Sequence, residues 1–146
     1  MMFPAVVGDD QAVVGFARVK NASGVAEALG EAVVWDISAP DGVRVSKPAT
    51  ATLSLLVGVL IQALAANAYG LVQTYGYNLY ALVTNHATQA IAAGDCLVPV
   101  AAATHFAFSA TGDGKSGFVY AAEAVAAITT TTLAAAALHK VFLRGC

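Results

Sequence analysis

One pattern runs through this chain twice, and it limits the folds available to it. Residues 29–35 read LGEAVVW and residues 93–98 read AGDCLV, each a glycine and a carboxylate leading into an apolar run. Later, VGVLIQA (57–63) leads to YGLVQTYG (69–76), and SGFVYAAEA (116–124) leads to LHKVFLRG (138–145). Both halves keep the same order: acidic turn, strand, glycine-started strand, strand closing on glycine. The expectation is an all-β fold, a small barrel or sandwich of two loosely related β units.

Charge sets the second constraint. Only 11% of the 146 residues are charged and 58% are apolar, against about 25% and 45–50% in an ordinary soluble domain. A surface with so few ions leaves apolar patches, which in soluble proteins mark interfaces. The chain therefore reads as a subunit packed against copies of itself or a larger lattice. A net charge of −2 supplies no basic field for phosphates, so nucleic-acid binding is not expected. Cys96 and Cys146 form neither a disulfide framework nor a metal motif and suit a reducing cytoplasm. MMFPAVVGDD lacks the basic start of a signal peptide, so secretion is not expected and NAS at 21–23 reads as a turn.

Residues 53–72, LSLLVGVLIQALAANAYGLV, approach the length and apolarity of a membrane span, as does the mean hydropathy of +0.70. Gln62, Asn67, Gly58 and the lack of flanking basic clusters oppose that reading. LSLLVGVLI fits a strand buried on both faces, with Gly58 at a bulge or close approach.

Residues 1–14 read as an extended N-terminal arm, interrupted by Pro4, Asp9 and Asp10, that offers Phe3, Val6 and Val7 to a neighbour; residues 15–146 form one β domain. QAVVGFARVK (11–20) alternates as a strand, EAVVWDI (31–37) is a strand closed by APDG, and VRVS (43–46) pairs back. YGLVQTYGYNLYALVT (69–84) alternates, with Gly76 at a bend and Leu71, Gln73 and Tyr75 on one face. THFAFS (104–109) alternates, Asp113-Gly114 signals a hairpin tip, and HKVFLRG (139–145) is the last strand. The threonines at 129–132 favour an extended loop or short helical turn over a long helix.

Chemistry is sparse. His86, His105 and His139 read as polar surface or interface residues, Cys96 as a small buried hydrophobe, and GDGK at 112–115 lacks the spacing of a phosphate loop. The nine acids have no metal-ligand spacing. No catalytic residue, metal or cofactor is expected. Tyr69, Tyr75, Tyr77 and Tyr80 crowd one segment, and tyrosine suits a half-wet contact, so some belong at a subunit interface; Trp35 reads as core.

VKNASG (19–24), LGEAVVWD (29–36), VGVLIQA (57–63), YGLVQTYGY (69–77), AIAAGDCLVPV (90–100) and VFL (141–143) together resemble the capsid decoration, or cement, proteins of tailed bacteriophages. The resemblance covers residues 15–145 and implies a compact β fold without catalytic residues. It implies homotrimers on the outer surface of the virion, seated on the major capsid protein lattice, that stabilise the head after assembly in the host cytoplasm. The competing readings are a head-tail connector or tail protein, a membrane-associated subunit, and a small-ligand-binding β domain built around His105 and Asp95.

Overall fold

The computed structural model describes residues 2–7, 12–85, 89–109, 118–127 and 136–144, with side chains from Val13 onward. His86, Cys146, the Asp113-Gly114 tip and the threonine run lie outside the described residues. Among the described residues ten strands form one hydrogen-bonded network: β1 (Met2–Val7), β2 (Ala12–Asn21), β3 (Ala32–Trp35), β4 (Arg44–Ser46), β5 (Leu56–Leu60), β6 (Tyr69–Val83), β7 (Cys96–Pro99), β8 (Phe106–Phe108), β9 (Val119–Ala121) and β10 (Ala137–Arg144). One short 3-10 turn, Leu53–Leu55, precedes β5. The fold is all-β, as expected.

The doubled sequence pattern is a doubled structure. In the first unit the pairings run β2–β4–β3–β5–β6 and return from β6 to β2; in the second they run β6–β8–β7–β9–β10 and return from β10 to β6. The hands match pair by pair: β2–β4 and β6–β8 are parallel, and the other pairings in each circuit are antiparallel. The registers match as well. Ala32↔Val59 and Val33↔Gly58 in the first unit become Cys96↔Tyr120 and Leu97↔Val119 in the second. Glu27↔Leu64 and Ile91↔Val125 are equivalent isolated bridges.

Local chemistry explains the shared entry turn. Glu31 accepts the Ala28 N–H (2.6 Å) and Asp95 accepts the Ala92 N–H (2.8 Å), each closing a turn with its glycine, Gly30 or Gly94, at positive φ. Gly30 N–H then donates to Leu60 O, and Gly94 N–H to Ala121 O. The buried Asn21 amide donates to Val25 O (2.7 Å) and Leu64 O (3.2 Å), while its Oδ1 accepts the Ser23 N–H, so NAS is a turn held by its asparagine. Asn85 donates to Ala126 O (2.8 Å) in the same place of the second unit.

Each unit has its own core. Val19, Val33, Val45, Leu60, Leu64 and Val72 fill the first; Val83, Leu97, Phe106, Val119, Val125 and Val141 fill the second. Residues of β3 and β5 feed both cores: Val33, Val57 and Leu60 point into the first, Ala32, Leu56 and Val59 into the second, the faces of β5 switching across Gly58 at a register shift with β3. All five residues of β5 are therefore buried, as the unbroken apolar run predicts. At Gly58 a Cβ would meet the backbone oxygen of Gln73, so only glycine lets β5 lie this close to β6. Trp35 packs against the first core at its margin, half-buried.

β6 serves both units. Gly76, at φ 94°, bends it where its neighbour changes from β2 to β10. The structure corrects the face assignment of Gln73, which is buried while Leu71 and Tyr75 are exposed. A register shift between β2 and β6, with Thr74 the extra residue opposite the Gly15–Phe16 step, lies beside it, and its amide turns inward at the bend. There Nε2 donates to Tyr75 O (3.1 Å) and Tyr77 O (3.0 Å), and Oε1 accepts from Asn78 Nδ2 (3.0 Å). Carbonyls freed by the bend are thus satisfied from within.

Residues 2–7, expected in an arm, form a strand hydrogen-bonded to β2 in antiparallel register, and β2 begins at Ala12. β1 has a single neighbour and ends the strand order, so it is an edge.

Candidate interaction surface

The outward side chains of β6 form an exposed apolar stripe. Along it Tyr69, Leu71, Tyr75, Tyr77, Leu79 and Tyr80 are exposed, each by 38% or more. Strict alternation ends at Leu79 and Tyr80, both outward, beside a register shift between β6 and β10. That irregularity keeps Tyr80 at the surface while returning Ala81 and Val83 to the core.

The tyrosines divide into three places. Tyr69 stands at the start of β6 with the Arg18 guanidinium 4.9 Å above its ring and the Lys20 ammonium at 5.9 Å; cations over a ring face are attracted by its quadrupole. Tyr75 and Tyr77 meet β10 and β2 in an open groove of about 710 Å³, lined also by Val13, Tyr120, Phe142 and Arg144. Tyr77 and Phe142 rings lie tilted at 5.3 Å between centroids, a favourable aromatic geometry. Arg144 lies 5.8 Å over Tyr120 and, among the described residues, is the groove's one charged lining residue. Tyr80 lies past the bulge, its backbone oxygen against Gly30. Of the arm residues, Phe3 pairs with Phe16, Val6 with Val13 and Val7 with Ala12, which brings β1 alongside a groove residue.

Phe142, Val13, Tyr120 and Arg144 were absent from the sequence expectation. Phe142 was legible in HKVFLRG, where it alternates with buried Val141 and Leu143. Val13 and Tyr120 join only through the meeting of β2, β6, β10 and β9.

The remaining polar groups serve local structure. Asp36 is held below the usual carboxylate range by the Ser38 hydroxyl and N–H, and Asp41 by the Arg44 and Val43 N–H groups. Glu123 is lowered by the Lys140 N–H and by His139, whose Nδ1 lies 3.1 Å from it. Burial lowers His105 and favours its neutral form, while the Asp95 carboxylate is engaged in its own turn. Cys96, on β7, is half-buried. Among the described residues no three His, Cys, Asp or Glu side chains are grouped to hold a metal, and no helix is long and apolar enough to cross a membrane. No family model matches the chain, and no curated protein is significantly similar to it.

Proposed function

We propose that the chain is a virion structural protein, a decoration protein that binds the outer surface of a tailed-phage head as a trimer and stabilises the shell. The observation that carries this reading is the apolar, tyrosine-rich face of β6 and β10, exposed in a chain with few charges. Tyr75, Tyr77 and Phe142 offer large, stiff, amphipathic contact area of the kind enriched in interfaces. The resemblance in the entry turns and glycine-started strands supports the same class. Partners that bind only the folded chain stabilise it by mass action, and a shell multiplies that gain over many equivalent sites.

In this reading the groove around Tyr77 and Phe142 packs against sister copies, and the edge strand β1, with Phe3, Val6 and Val7, reaches the major capsid protein. The test is binding of the purified chain to expanded heads that lack decoration. Saturable binding with raised heat resistance of the particles is expected, with Tyr77→Ser plus Phe142→Ser abolishing it. Deletion of residues 1–12 is expected to lower occupancy. Failure of the intact chain to bind heads, or assembly into six- or twelve-fold rings, contradicts the proposal and favours a connector or tail protein.

A further inference from the structure

The two units differ at one buried position in a way packing does not require. Glu27 and Ile91 occupy the same isolated bridge, opposite Leu64 and Val125. Ile91 is fully buried in the second core; Glu27 is 5% exposed, and its Oε1 has no well-formed hydrogen bond. An isoleucine satisfies this place in the fold, whereas an ionised carboxylate there loses its water without a partner.

Its neighbour is a second acid. The Glu27 carboxyl lies within hydrogen-bonding reach of the Glu31 carboxyl, with the Ser23 hydroxyl nearby, and Lys47 is the one cation acting on it among the described residues. Glu31 is itself committed: Oε2 accepts the Ala28 N–H, and Oε1 accepts the Thr104 hydroxyl at 2.7 Å. Ala32 N–H donates to Thr104 O (2.7 Å), and Leu82 N–H donates to Gly30 O (2.8 Å). Residues 27–32 are thus where the first unit docks on the second.

We propose that Glu27 keeps a proton at this joint and donates it in a hydrogen bond to the Glu31 carboxylate, making the contact between the units a proton-binding site that loosens as the proton leaves. With the proton in place, the hydroxyl of one carboxyl donates to the other, satisfying Glu27 and leaving one negative charge facing Lys47. Without it, two carboxylates face each other in a partly dry seam. A divalent ion fits less well: calcium takes 6–8 oxygens, whereas two carboxylates are present and both Glu31 oxygens already accept hydrogen bonds. Burial, and then the bond to Glu31, raise Glu27 above its ordinary value of 4.5. The folded state therefore holds its proton more tightly than the unfolded chain. This contribution is complete below the ordinary value and is lost as pH rises through the folded one.

The experiment is chemical denaturation of the full chain between about pH 5 and pH 8, beside Glu27→Gln and Glu27→Ile, the latter carrying the residue of the second unit. Relative to both variants, wild type is expected to lose stability on going to the higher pH. Parallel pH profiles for wild type and variants overturn the proposal, as does stabilisation of wild type but not Glu27→Gln by millimolar calcium at the higher pH. Carbon-13 carboxyl NMR of wild type reads the site without any variant: titration of Glu27 above 4.5 is expected, and titration at or below it overturns the proposal. The site does not depend on the assembly reading.

Discussion

The two β units share strand order, pairing hands and key registers, yet their inner strands live in different surroundings. In the first unit, β3 and β5 lie between two cores, and every residue of β5 is buried. In the second, β7 and β9 show alternating burial, with one face turned from the core. Equivalent positions therefore differ in burial even where the residue is the same: Val34 is fully buried, while its counterpart Val98 is half-buried. Where a unit sits relative to its twin, more than its own topology, decides how apolar its strands must be. The second core compensates for its outer position with larger side chains, since Phe106 replaces Val45 and Phe118 replaces Val57.

The comparison breaks most readily at Gly58. Gly58→Ala sets a Cβ against the Gln73 backbone oxygen at a positive φ, and a loss of about 3 kcal/mol or more is expected by urea denaturation. A near-neutral result would mean that β5 does not approach β6 as described. Gln73→Leu strips the Tyr75 and Tyr77 carbonyls of their donor at the bend joining the units, for an expected cost of about 2 kcal/mol. Val34→Ala against Val98→Ala sharpens the contrast of surroundings. The first is expected to cost about 2 kcal/mol and the second less than about 1, and equal losses would remove the distinction between double and single burial. Smallest is Arg44→Ala: its 3.0 Å pair with Asp41 is solvent-exposed, so a change below about 0.5 kcal/mol is expected.

Much of this organisation was legible in the chain. The repeated acidic turn was visible because a glycine and a carboxylate at fixed offset do one local job, and β5 was visible because burial on both faces removes alternation. Turn chemistry identified Asn21 correctly, since its side chain bonds within a few residues. What could not be read depended on distant contacts. Gln73 has the outward parity of Leu71 and Tyr75, and its inward turn accompanies an extra residue in β6, Thr74, that only pairing with the distant β2 reveals. The same holds for the groove, which Val13, Tyr120 and Phe142 complete from three separated strands. Glu27 looked like any surface acid, because the apolar twin that marks its site as core lies in the other unit.

The central claim is that the exposed tyrosine face exists to be covered. Sedimentation of the purified chain at micromolar concentration tests it most directly. The account predicts a species of three times 14.7 kDa that falls to monomer with Tyr77→Ser plus Phe142→Ser while each chain stays folded. A wild-type chain that remains monomeric at that concentration would contradict it.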